Sequence, residues 1–225
     1  MQDGHIPSFD IESDSIDCEF CQRNKLAAYI LKETPDFFIA TDHAPLTEGH
    51  LLIITKQHYT CYGAVPAELD AELFALKHEV QQFLAQYYTP VVFWEHGIFR
   101  QTVFHAHLHC FPFGGVDYDL SQDLHETIIH SQQDVRDWYA TRGQYFYMES
   151  GRAALLFAPE LERYWHIIRT IFAHAATRLG HTTPRSPELR REEGVPLIEA
   201  TIANWQEFQQ QGADHAHQSS TRKTE

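Results

Sequence analysis

The segment Val103-Phe104-His105-Ala106-His107-Leu108-His109-Cys110-Phe111 constrains the fold of this chain more than any other. Imidazoles alternate with apolar side chains at a period of two, the repeat of a β-strand with one polar and one buried face. A strand is therefore expected over residues 103–111. His105, His107 and His109 would line one surface about 6 to 7 Å apart, while Ala106, Leu108 and Cys110 face the interior. A single histidine among apolar neighbours is usually a hydrogen-bonded core residue. Three on one face lose solvation or repel one another unless a ligand or a metal uses them.

Other runs supply partners for that strand. FFIAT (Phe37–Thr41) and LLIIT (Leu51–Thr55) are apolar and separated by Asp42, Pro45 and Gly49, the pattern of two strands joined by a turn-rich loop. VVFWE, residues 91–95, reads as another strand, followed by a short segment with Gly97 and Arg100. Between them Leu69, Leu73, Leu76, Val80, Phe83 and Tyr87 recur at helical spacing until Thr89-Pro90 breaks the pattern. Four strands and one long helix, reachable by antiparallel connections, predict an α+β domain with an antiparallel sheet over residues 18–116.

The flanks read differently. Residues 1–17 are polar and acidic, a loose arm, and residues 117–211 an appended α+β unit. In that unit a helix is expected over 128–139, a hairpin over 144–157 turning at Ser150-Gly151, a long helix over 159–179 stopped by Gly180, and a further helix over 195–208. The stripe Leu161, Trp165, Ile168, Phe172, Ala175 and Leu179 reads as core packing. From Gly212 the sequence is polar, and residues 212–225 are expected to be a mobile tail.

Charge narrows the function. The 225 residues include 31 acidic and 17 basic ones, a net charge of -14, which opposes a sequence-independent grip on nucleic acid or on anionic lipid headgroups. Any nucleotide must be bound locally. No apolar run approaches the roughly 20 residues of a membrane span, and the N-terminus is acidic where a signal peptide would be basic and then apolar, so a cytoplasmic location is expected. In a reducing compartment the Cys18-x-x-Cys21 pair points to a metal or redox role. Its spacing is that of a zinc half-site, with His58 and one histidine of the row as candidates to complete a closed Cys2His2 set of the structural kind. A thioredoxin-like redox pair would need a βαβ setting that the sequence lacks.

In this order, the cysteine pair, IATDHAPLTEGHLLIITKQH, a helix and QTVFHAHLHCFP resemble the histidine triad (HIT) superfamily of nucleotide hydrolases and transferases, from Cys18 to about Pro112. The resemblance implies that His107 is the nucleophile toward a nucleotide α-phosphorus and forms a covalent nucleotidyl-histidine. His109 and His50 would stabilise the phosphate oxygens, with Thr102 and Gln101 near the phosphate and leaving group. It implies that Asp42 contacts ribose hydroxyls, that apolar residues such as Phe38 or Ile53 enclose the base, and that His105 joins Cys18, Cys21 and His58 as a ligand of structural zinc. A homodimer paired through the domain's helix and sheet edge is also implied. The stretch WEHGIFRQTV departs from the family's usual small residues, and its Arg100 is a candidate to supply positive charge at the phosphate.

Two further readings remain at this level. Three imidazoles and a water can form a catalytic zinc centre, but successive same-face residues of a flat strand diverge too far for one ion with bonds near 2.1 Å. A nucleotide-sensing module, catalytically weak and with a partner-binding C-terminal extension, has no need of a nucleophile at His107.

Overall fold

The computed structural model describes residues 18–116, 126–151 and 153–221. The loose arm expected at 1–17 lies outside them. The chain enters at the cysteine pair, makes one helical turn, α1 (Arg23–Leu26), and then β1 (Ile30–Glu33), β2 (Phe37–Thr41) and β3 (Leu51–Thr55). The long helix α2 (Asp70–Tyr87) comes next, with Asp70 and Glu72 in its first turn where they complement the helix dipole. Then come β4 (Val92–Glu95), β5 (His107–Phe111), β6 (Glu126–Ile128), α3 (Gln132–Arg142), β7 (Phe146–Ser150), β8 (Ala153–Phe157), α4 (Leu161–Arg178), α5 (Pro187–Glu193) and α6 (Val195–Thr221).

Among the described residues the named strands pair antiparallel and form one sheet in the order β1-β2-β3-β5-β4-β7-β8-β6. The α+β architecture is therefore as the sequence predicts. The hairpin β7–β8 continues the same sheet by pairing β7 with β4. Alternation sorts the side chains: Phe37, Ile39, Ile53, Phe93, Leu108 and Cys110 pack toward α2, in a core that also holds Leu73, Val80 and Phe83. The opposite face buries Trp94, Phe111, Phe146, Met148 and Phe157 with Ile167, Ile168 and Ile171 of α4. On that face, toward the other end of the sheet, Phe38, Ala40, Leu52 and Ile54 pack with Leu26.

Four expectations need correction. The strand begins at His107 rather than Val103, because the Ala106 N–H donates to the Tyr59 carbonyl at 2.6 Å and the chain before it runs along the loop beyond β3. Residues 126–128 are strand and the helix starts only at Gln132, where Ser131 and Asp134 form a capping box. The buried stripe of α4 is Tyr164, Ile167, Ile168, Ile171, Ala175 and Ala176, one step round from the one expected, leaving Leu161 50% exposed. The polar stretch from Gly212 stays helical to Thr221. Strand β1 follows its apolar Ile30 and Leu31 with Lys32 and Glu33, too short a run to be marked as a strand in the sequence.

Two surfaces of the 18–116 segment are covered by elements from the C-terminal half of the chain. β7 occupies the free edge of β4. Trp205 and Phe208 of α6 pack on Phe83 of α2, ring centroids 4.9 and 5.6 Å away.

Candidate functional site

Register builds the site. Phe38 pairs with Ile54 and Ile54 with His107, while Ala40, Leu52, His109 and Trp94 align in the next row, all on one face. Ile53 pairs with Leu108 and points to the α2 side, fully buried, so it cannot join His107. Leu52 and Ile54 hold the place expected of it. Phe38 does share the histidine face, 5% exposed.

Hydrogen bonds assign the tautomers. His107 Nδ1 donates to the His105 carbonyl at 2.6 Å, which leaves Nε2 with a free lone pair. That carbonyl also accepts from Gln101 Nε2 at 2.9 Å, while Gln101 donates to the Thr60 carbonyl at 3.2 Å and takes the Ile98 N–H at 2.9 Å. Gln101 thus spends its amide on backbone and positions the loop before β5. Thr102 is exposed at the bend beyond it.

The loop 42–50 brings in the next histidine. Gly49 sits at φ 79, and a Cβ there would meet the Tyr88 ring at 2.9 Å, so glycine is required for the chain to turn His50 inward. The Leu46 N–H donates to His50 Nδ1 at 3.2 Å, so the proton is on Nε2, which donates to His109 Nδ1 at 3.1 Å. His109 consequently carries its proton on Nε2. Asp42 takes the Ala44 N–H at 2.7 Å, as a turn residue does, and its other oxygen lies 3.7 Å from His50 Nε2. Asp42, His50 and His109 lie close enough together to suggest a cation site. The tautomer opposes one: a metal on His50 Nε2 would move the proton to Nδ1, against the Leu46 N–H.

The cysteine pair meets the two histidines named from sequence. Sγ of Cys18 is 3.4 Å from His105 Nδ1, and Sγ of Cys21 is 3.3 Å from His58 Nδ1 and 3.5 Å from His105 Nδ1. All four donor atoms lie within 4.8 Å of one another. His105 Nε2 donates to the Thr55 carbonyl at 2.7 Å, which fixes the bare Nδ1 toward the sulfurs. Burial and the neighbouring Cys18 push the Cys21 thiol up to about 12, an arrangement that a divalent cation would reverse. The set fits tetrahedral zinc, and the turn between the cysteines lays Phe20 edge-on to His107, centroids 5.0 Å apart.

Burial lowers the pKa of every histidine on this face. His50 falls to about 4 and His96 to about 3, and His107 and His109 are lowered as well. Asp42 is held low: burial opposes ionisation, but His50, the Ala44 N–H, His43 and Arg190 outweigh it. The cluster is thus neutral imidazole beside a carboxylate. Because the folded histidines bind protons only well below 6.5, stability is complete above that value and falls as pH drops toward 4. At pH 5 protonation therefore favours the unfolded chain, most plainly through His50 and His96, whose folded values lie at about 4 and about 3. Glu95, raised to about 7 by burial, works the other way as a single group. The thermal midpoint is expected to fall from pH 7 to pH 5, and a midpoint that stays flat would contradict the burial of neutral imidazoles.

Two residues to which the sequence assigns no role stand here. His96 packs edge-on to His109 at 5.5 Å and its Nδ1 lies 3.1 Å from the Tyr164 hydroxyl. Arg190 of α5 donates to the Ala44 carbonyl and so clasps the loop from outside. Only His96 had a local signal, since the period-two continuation of β4 from Trp94 puts it on the histidine face. Arg100 is exposed and lies over the Trp165 ring at 5.3 Å.

Residues 23–116 match the family model of the HIT domain. The nitrilase and fragile histidine triad fusion protein NitFhit of Caenorhabditis elegans is 25% identical over 122 residues, 52% of this chain and 28% of that protein. The chain therefore spans less than a third of the curated relative it matches. Among solved structures, a HIT family protein from Bacillus anthracis is 22% identical with a TM-score of 0.40, over 56% of this chain and 94% of the other. A zinc-bound histidine triad family protein from Mycobacterium smegmatis is 25% identical with a TM-score of 0.39, over 56% and 96%.

Proposed function

Because residues 23–116 form a HIT domain, we propose that the chain is a nucleotide hydrolase or nucleotidyl transferase that works through His107. One observation carries the reading: a buried, neutral imidazole whose Nδ1 is held by the His105 carbonyl at 2.6 Å, leaving Nε2 as a nucleophile. His107 Nε2 attacks the α-phosphorus, a P–N bond forms, and the bond to the leaving group breaks with its electron pair departing on that group. Water or a second acceptor then attacks phosphorus, and the P–N bond breaks to return the imidazole. His109, with its proton on Nε2 through the bond from His50, is placed to donate to a phosphate oxygen as charge develops. Asp42, an ionised acceptor, suits ribose hydroxyls, and Phe38 with Leu52 and Ile54 gives the base an apolar floor.

Cys18, Cys21, His58 and His105 would hold zinc in a closed site, where it supplies rigidity and no open coordination position. In this reading 18–116 is the catalytic unit, and β7 and α6 of the C-terminal half flank it. The test is intact-protein mass after rapid acid-free quenching with dinucleoside polyphosphates, nucleoside phosphoramidates, nucleotide sugars and aminoacyl adenylates. A nucleotidyl adduct is expected. Absence of both adduct and released monophosphate throughout would favour the nucleotide-sensing module.

The helix and sheet edge through which a homodimer is implied are covered by α6 and β7 of the same chain. Light scattering is accordingly expected to give a monomer near 26.1 kDa. A concentration-independent dimer would show that a second copy docks on another surface.

A further inference from the structure

The C-terminal half of the chain grips the loop 42–50 from outside. Arg190 Nη1 donates to the Ala44 carbonyl, the Gly49 N–H donates to Thr201 Oγ1 of α6 at 2.9 Å, and Gly194, between α5 and α6, lies so close that a Cβ there would meet Pro45 Cδ at 2.7 Å. Between this clamp and α4 a cavity of about 140 Å³ remains, partly open to solvent. Its walls are mainly apolar: Pro45 and Leu46 of the loop, Phe172 and Ala176 of α4, Leu179 just past it, and Leu197 of α6. Asp42, His50 and the histidine row do not line it.

The charges around the cavity do not balance. Its lining carboxylate, Glu193, is engaged, with Oε2 3.2 Å from Arg185 Nε and 3.7 Å from His181 Nε2. Arg190 is left over. Among the described residues no carboxylate lies within 4.0 Å of its guanidinium, and its Nε is shut off from solvent without a hydrogen-bond partner. Burial works against its charge, and Asp42, across the loop, offsets part of that cost. A buried donor without a partner is uncommon in a folded protein and calls for a use. With Nη1 committed to Ala44, the edge of Nε and Nη2 remains, and that edge is a fork that receives a carboxylate through two parallel bonds. The Phe172 ring, its centroid 5.8 Å from the guanidinium carbon, joins this charge to the apolar wall.

We infer that this cavity is a binding site for a small apolar monocarboxylate, whose carboxylate pairs with Arg190 and whose hydrocarbon part lies among Leu46, Phe172, Ala176 and Leu197. Size sets the hydrocarbon part, since an apolar cavity of this volume admits one six-membered ring and is too small for a nucleotide. Charge sets the rest. Glu193 cancels Arg185, so the lining carries one net positive charge, which suits a monoanion, and in a chain of net charge -14 such a cation is a local focus for one. The walls are held in place before any ligand arrives, so little freedom is lost on binding. The inference does not rest on the chemistry proposed at His107.

Benzoate is the probe, and the measurement is calorimetry on the full chain. Benzoate should bind, while benzamide, which keeps the ring without the charge, and acetate, which keeps the charge without the ring, should each bind at least about tenfold more weakly. These comparisons need no variant. Arg190→Met should weaken benzoate about tenfold, Ala176→Phe should abolish its binding by filling the cavity, and His107→Ala should leave it unchanged. No binding of benzoate, equal affinity for benzamide, or full binding in both Arg190→Met and Ala176→Phe would overturn the site. Loss of benzoate binding in His107→Ala would place the anion on the histidine face and overturn it as well.

Discussion

His107→Ala is expected to lower turnover at least about 10⁴-fold, because neither other histidine of the row presents an unencumbered ring nitrogen to phosphorus. His109 Nδ1 is occupied by the bond from His50, and the His105 ring is turned to the cysteines. The variant should fold, since β5 keeps its pairing to β3 and β4 through backbone bonds that alanine can make. Nucleotide binding should persist, as Asp42, Phe38 and His50 are untouched. The measurements are initial rate, adduct mass and nucleotide affinity on one preparation. His109→Ala is the informative companion: it should slow the reaction yet still yield the adduct at His107. Turnover retained in His107→Ala would remove the nucleophile from the mechanism.

The features legible in the sequence are those whose signals are local. β2 and β3 appear at their observed bounds because each is an unbroken apolar run between turn residues. The metal candidates were legible because Cys-x-x-Cys and the first histidine of the row are short-range patterns of ligating atoms. The side to which Ile53 points is not legible, because a strand buried on both faces has no polar alternation to mark its direction; only the pairing with Leu108 decides it. The buried stripe on α4 is hidden for a similar reason. Two adjacent rows of that helix are apolar, periodicity cannot choose between them, and the sheet selects the row of Tyr164 and Ile168. That choice leaves Trp165 partly exposed to meet Arg100. Contacts such as Arg190 on Ala44 or Thr201 on Gly49 join residues more than a hundred positions apart, and no local pattern announces them.

Cys18→Ser is expected to lose bound zinc and several kcal/mol of stability, the usual worth of a structural site. The reason lies in the segments that the ligands connect. Cys18 and Cys21 open the described chain, His58 lies just beyond β3, and His105 precedes β5, so one ion would tie together segments that otherwise meet through few backbone bonds. Without it, Cys18 and His105 are left buried with a weak contact at 3.4 Å, and the Phe20 turn loses its anchor beside His107. Metal content, thermal midpoint and rate then separate the roles. Zinc should be lost first, the midpoint should fall with it, and the fraction that remains folded should still form the adduct, because His107 draws its orientation from the His105 carbonyl and not from the ring. A variant with full zinc would refute Cys18 as a ligand. Chelation tests the same point from the other side: activity should last as long as the bound zinc does, whereas prompt loss reversed by added zinc would make the metal catalytic and return the three-histidine centre to consideration.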